Sequence, residues 1–210
     1  MQIASMLSED TKNEHRYFII NKPCNMVSQF VSPHNVGLLG DLNFKFPEGT
    51  HAIGRLDNHS EGLLILTTNK KVTRLLFTGD APHQRVYLVQ INNELSKENL
   101  KKLQTGVSIT IEGGDEYETP PCDVTIIAAP ETIYPFVNSS NQFGVHTWIL
   151  ISLYEGKYRQ VRKMVKAIHH RCKRLIRVSI EDLVLANLAP GAAKEIEESD
   201  FFKKLKIDKY

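Results

Sequence analysis

The stretch His51-Ala-Ile-Gly-Arg-Leu-Asp-Asn-His-Ser-Glu-Gly-Leu-Leu-Ile-Leu-Thr-Thr-Asn69 decides how the chain is read. Leu63 to Leu66 is an unbroken apolar run that can be buried as a strand. The residues before it, Arg55, Asp57, Asn58, His59, Ser60 and Glu61, are polar and lie between Gly54 and Gly62. A charged loop anchored on a buried strand holds reactive side chains rigidly at a surface. Asp57 is the first candidate for such a group, although a lone aspartate in a loop of this kind is more often a turn or capping residue.

Working outward, Tyr17–Ile20 and Arg85–Ile91 read as strands from their aromatic and β-branched content. In the second, Arg85, Tyr87 and Val89 share one face and Val86 and Leu88 the other. Val107–Ile111, Cys122–Ala128 and Trp148–Leu153 also read as strands, and residues 129–145 as irregular. Asn69 can cap a helix through Lys70–Phe77, with Gly79 expected to end it. Ser96 can cap a second helix, stapled by Leu95 and Leu100 and stopped by Gly106. Several strands with few helices predict an α+β fold, a mixed and largely antiparallel central sheet with flanking helices. The expected organisation is a polar lead-in over 1–16, one domain over 17–195 and a charged tail over 196–210 with few core positions, for which a surface helix is open.

With 210 residues, 41% hydrophobic and 24% charged, the chain has the composition of an ordinary globular domain. No segment approaches a transmembrane span and the first 16 residues lack the apolar core of a signal peptide. Cys24, Cys122 and Cys172 are far apart and odd in number, which predicts free thiols in a reducing compartment, the cytoplasm. No spacing of metal ligands stands out.

The formal charge of +2 conceals an asymmetry. Between Glu155 and Arg177 nine Lys and Arg stand against one acid, a net of +8, which leaves −6 for the rest of the chain. Within this segment Tyr158–His170 predicts a helix whose apolar stripe is Val161, Met164, Val165 and Ile168. Arg159, Arg162, Lys163, Lys166 and His170 run beside that stripe. A solvated amphipathic helix would show the same pattern. The scarcity of neutralising acids favours a polyanionic partner, and phosphate binding is the preferred reading.

Gly54-Arg55-Leu56-Asp57-x-x-Ser60-Glu61-Gly62-Leu63-Leu64 and Tyr154-Glu155-Gly156-Lys157-x-Arg159-Gln160-Val161-Arg162-Lys163-Met164 together resemble the signatures of the RsuA-type pseudouridine synthases. Arg174-Leu175-Ile176-Arg177, Asn21-Lys22-Pro23 and Arg85-x-Tyr87-x-Val89 resemble further family segments, in the family's order. Departures are Cys24 where relatives carry an aromatic, Arg85 for a lysine, and His169-His170 where relatives carry a glycine-containing turn. Most such relatives begin with a small RNA-binding domain, for which 16 residues are too few, so the chain resembles a stand-alone branch acting on large-subunit ribosomal RNA.

The resemblance implies isomerisation of a uridine in ribosomal RNA, with Asp57 as catalytic carboxylate. Arg162 is then the cation that keeps Asp57 charged and oriented. Tyr87 packs on the target base, Arg55 fills the gap left by the extruded nucleotide, and Val161 lines the pocket. Lys22, Arg159, Lys163, Lys166, Arg174 and Arg177 are the expected RNA contacts. No cofactor or metal is required and a monomer is expected. Two alternatives stay open: a glycoside-type hydrolase using Asp57 and Glu61 as paired carboxylates, and a silent RNA-binding module.

Overall fold

The computed structural model describes residues 15–78, 82–137 and 144–210. The expected polar lead-in therefore falls outside the described residues up to position 14, as does the helix stop expected at Gly79. Eleven strands and four helices form among the described residues. The strands are β1 (Tyr17–Lys22), β2 (His51–Ile53), β3 (Glu61–Thr67), β4 (Arg85–Asn92), β5 (Ser108–Thr110), β6 (Glu116–Glu118), β7 (Asp123–Ile127), β8 (His146–Leu153), β9 (Cys172–Ile180), β10 (Leu183–Val184) and β11 (Ala193–Ile196). The helices are α1 (Lys71–Phe77), α2 (Lys97–Thr105), α3 (Gln160–Ala167) and α4 (Glu198–Lys204).

One large sheet runs β11-β1-β3-β9-β4-β8-β7, with β2 added to β3 and β10 to β9; β5 and β6 make a separate hairpin. Every pair is antiparallel except β3 and β9, which meet in parallel at Glu61–Ile176 and Gly62–Arg177 alone. The sheet is thus two antiparallel halves joined at a short seam. Gly62 is what lets the halves close: at φ +98° a Cβ there would lie 2.3 Å from Arg177 O. The architecture is the expected α+β fold with a mixed, largely antiparallel sheet.

Strand β3 is buried as its apolar run predicts, and on both faces. Leu63 and Ile65 join one core with Tyr17, Leu88 and Ile176. Leu64 and Leu66 join another with Phe18, Ile20 and Leu39. A third core lies under α2 and α3 and takes Val89, Leu103, Ile149, Val161, Met164 and Val165. The caps follow sequence chemistry. Asn69 Oδ1 accepts from Lys71 N at 3.0 Å, Ser96 Oγ from Asn99 N at 3.1 Å, and Gly106 closes α2 onto Lys102 O.

Three expectations fail. The segment Cys172–Ile180, read only as part of a basic patch, is a strand at the centre of the sheet. Glu116–Glu118, in the acidic stretch between the strands expected at Val107–Ile111 and Cys122–Ala128 where no strand was expected, is a strand paired with β5. The chain's end is not a charged tail: Phe201, Phe202 and Leu205 are fully buried, and the Phe201 ring sits 4.6 Å from that of Tyr17. At the edge of the expected domain, Arg16 grips Glu195 through two hydrogen bonds of 2.6 Å. The helix open to the chain's end is α4, seven residues long, and its aromatic face is packed into the core rather than lying on the surface.

Candidate active site

Asp57 lies on the loop between β2 and β3, immediately before the seam. The loop is held from three sides. Ser28 Oγ accepts from Leu56 N and donates to Leu56 O, both at 3.0 Å. Lys22 reaches Asn58 O at 3.4 Å while also donating to Met26 O at 2.6 Å and Pro23 O at 2.9 Å. From α3, Arg162 Nη2 donates to His59 O at 2.9 Å and Ser60 Oγ at 3.3 Å. Its Nε, which is buried without a hydrogen-bond partner, stands 4.0 Å from Asp57 Oδ2. The loop turns back on itself through Ser60 N donating to Asp57 O at 2.9 Å. Asp57 keeps about a third of its side chain open, 30% against 14% for Arg162.

That open side faces a cavity of about 960 Å³, within the ~300–1,000 Å³ usual for ligand sites. Asp57, Arg55, Tyr87, Arg159, Val161 and Arg177 all line it. Tyr87 pairs with Ile151 on one side and Arg177 on the other, so its position is set by the middle of the sheet. Val161 is buried in the core that also receives Tyr87. Arg55 is exposed.

Helix α3 is shorter than the predicted Tyr158–His170. Arg159 is left-handed at φ +55°, so the helix starts at Gln160, whose Oε1 accepts from Lys157 N at 2.9 Å. At the other end His169 takes φ +61°, the conformation a glycine would supply, and His170 N reaches back to Val165 O at 3.1 Å. His170 does not join a row of surface cations; its Nδ1 lies 2.8 Å from Asn92 O. The apolar stripe is as predicted, with Val161, Met164, Val165 and Ile168 all buried.

The basic segment divides. Lys157, Arg159, Lys166 and Arg171 are exposed, and Lys163 is half-buried with its ammonium 5.5 Å from the Tyr158 ring. Arg174 instead forms a two-pronged pair with Glu61 at 2.9 and 2.8 Å, across the seam. Arg177 is 5% exposed and donates from Nε to Leu63 O at 2.8 Å. Lys22 is fully buried. These three are internal ties rather than exposed cations. Burial pushes the Lys22 ammonium down to about 8.

The sequence reading missed Ser28, Ser60 and Cys172. The Cys172 sulfur lies 3.7 Å from Arg162 Nη1, and burial pushes its thiol up to about 11. All three cysteines are free. Ser60 stood inside the quoted motif, but Ser28 carried no signal because its partner Leu56 is 28 positions away. Among the described residues no three His, Cys, Asp or Glu side chains gather as metal ligands, and no helix is long and apolar enough to cross a membrane.

Comparison with known proteins places this geometry in context. Residues 16–167 match the RNA pseudouridylate synthase family. The ribosomal large subunit pseudouridine synthase E of Vibrio parahaemolyticus is 34% identical over 186 residues, covering 87% of this chain and 74% of that protein. The protein of the same name from Xanthomonas axonopodis pv. citri is 30% identical, with 82% and 89% covered. The ribosomal small subunit pseudouridine synthase A of Escherichia coli K12 is 26% identical, with 88% and 72% covered. A crystal structure of a pseudouridylate synthase shares the fold at a TM-score of 0.73 and 23% identity, covering 91% of this chain and 74% of its own. With the family match spanning most of the chain, this protein belongs to the RNA pseudouridylate synthase family, the enzymes that isomerise uridine.

Proposed function

We propose that the protein converts a specific uridine of ribosomal RNA, in the large subunit, to pseudouridine, with Asp57 as the catalytic carboxylate. One observation carries the reading. Asp57, on a loop clamped from three sides, opens into the same cavity as Tyr87 and Val161. The large-subunit target is favoured by relatives of 30–34% identity that bear that name, against 26% for the small-subunit enzyme.

A nucleotide must leave the RNA stack to reach such a cavity. Tyr87 offers a face on which the base stacks, worth ~1–3 kcal/mol. Arg55, exposed beside Asp57, suits the space left behind in the RNA. Asp57 either attacks C1′ or takes the 2′ proton, and in both routes the C1′–N1 bond breaks with its electron pair leaving on the base. The base turns and C5 bonds to C1′; in the first route the Asp57–C1′ ester bond breaks as it does so, and in the second Asp57 returns its proton to C2′. The C5 proton then departs and N1 takes up a proton. No electron is gained or lost, so the residues present suffice. Lys157 and Arg159 on the cavity wall, and the exposed Lys166 and Arg171 elsewhere in the same segment, supply charge for the RNA phosphates.

The paired-carboxylate alternative loses its second member. Glu61 is 9% exposed, committed to Arg174, and absent from the cavity wall. The test uses ribosomal RNA tritiated at uridine C5. Release of tritium without free uracil is expected, and its loss in Asp57→Asn while RNA binding persists. Free uracil would indicate hydrolysis, and undiminished release by Asp57→Asn would remove Asp57 from the chemistry.

A further inference from the structure

The cavity wall contains two cations that the steps above do not use. Arg177 spends only its Nε on the protein, and its buried Nη2 has no hydrogen-bond partner among the described residues. Arg85 is 7% exposed, lies over the Phe77 ring at 5.2 Å, and also lines the cavity. Neither forms an ion pair with a carboxylate among the described residues. The two also oppose each other: burial lowers the affinity of Arg85 for its proton, and the neighbouring Arg177 charge lowers it further.

Burying one guanidinium without a counter-charge is costly, and two side by side more so. The fold does neutralise such charges elsewhere, since Arg174, three residues before Arg177, receives both oxygens of Glu61. Arg85 and Arg177, by contrast, keep unused donors where they line the cavity. Arg177 is the cross-strand partner of Tyr87 and shares a strand face with Leu175, which packs in the same core as Val161. It thus sits beside the surface on which a base would stack.

A phosphate does not suit this position. It stays on the RNA backbone, where the exposed Lys157 and Arg159 can meet it, whereas the part of an extruded nucleotide that travels deepest is the base. Uracil carries two carbonyl acceptors, and these take up the electron pair released when the C1′–N1 bond breaks. We infer that Arg177, assisted by Arg85, is a catalytic group that receives the uracil carbonyl oxygens and stabilises the negative charge on the detached base. The same donors disfavour cytosine, whose 4-amino hydrogens would face them where uracil offers an acceptor. This inference rests on the isomerase reading and adds to it a residue that acts on the base.

The experiment compares single-turnover rates and RNA affinity for the wild type, Arg177→Met, Arg177→Lys and Arg85→Met, on a ribosomal RNA fragment carrying uridine or 5-fluorouridine at the target. Loss of the nucleoside is read after nuclease digestion. Arg177→Met should lose about 100-fold or more in rate on uridine, as removal of a pre-placed donor to a developing anion does, with RNA affinity retained. Fluorine makes the departing base more acidic, so the deficit should shrink on 5-fluorouridine. Arg177→Lys should recover part of the rate. An undiminished rate in Arg177→Met, or an equal deficit on both nucleosides, would overturn the inference and leave the isomerase standing. Should Arg177→Met not fold, Arg85→Met decides, with a smaller loss and the same shrinkage expected, and an unchanged rate refuting. A wild type that forms no pseudouridine overturns both readings.

Discussion

Lys22 permits a test of the site's scaffolding independent of its chemistry. Its ammonium is fully buried and meets the carbonyls of Met26, Pro23 and Asn58, with no carboxylate in ion-pair contact. Burial lowers its pKa from 10.5 to about 8. Below about pH 8 the amine is protonated folded and unfolded, so the native state carries the whole cost of burying the charge. Between about 8 and 10.5 the unfolded chain binds the extra proton, so stability rises with pH across that window. The gap between the two values corresponds to about 3 kcal/mol. Lys22→Met keeps the length of the side chain and removes the titration. Urea denaturation of both proteins at neutral pH and at pH 10.5 isolates the effect, because the other titrating groups cancel in the difference. The wild-type stability minus that of the variant should rise by about 3 kcal/mol over that range. A flat difference would refute the reasoning, since the carbonyls would then be repaying the lost hydration in full. At neutral pH the variant should also lose isomerisation rate with RNA affinity unchanged, because Asn58 is released beside Asp57.

The other predictions concern the C-terminal helix and the RNA surface. Phe201→Ala should cost about 3–5 kcal/mol in chemical denaturation, because the ring is fully buried against Tyr17; a loss below about 1 kcal/mol would mean the end of the chain is dispensable. RNA affinity should fall steeply with salt, and replacing Lys157, Arg159 and Lys166 together by glutamine should flatten the log–log slope by about 2, at roughly 0.7 per phosphate contact on single strands. An unchanged slope would move the RNA to another face.

Much of the fold and the site could be read from local pattern. The apolar run of β3, the stripe of α3 and the caps at Asn69 and Ser96 depend on neighbours a few positions away, and each appears in the structure. What could not be read depends on long-range pairing. Strand β9 looked like a patch of charge because Arg174 and Arg177 are neutralised or tied by Glu61 and Leu63, 113 and 114 residues away. Lys22 looked like a surface cation for the same reason, its burial being decided by a loop 36 residues on. The charge count overstated the number of cations facing outward.

These misread cations explain why the site sits where it does. Two antiparallel half-sheets touch in parallel over two residue pairs, and backbone pairing that short is weak by itself. Arg174 on Glu61 and Arg177 on Leu63 both cross that seam, and Gly62 permits the approach. The loop carrying Asp57 begins at one half-sheet and ends at the seam, while Tyr87 belongs to the other half. Asp57 and Tyr87 can therefore keep a fixed separation only if the seam is rigid. Loosening it at Glu61 should displace the carboxylate from the base before it unfolds the protein, so the rate should respond to seam substitutions more sharply than stability does. Under the proposed reaction the positive charge buried along the seam acts twice, by locking the two halves together and by placing Arg177 on the cavity wall beside Tyr87.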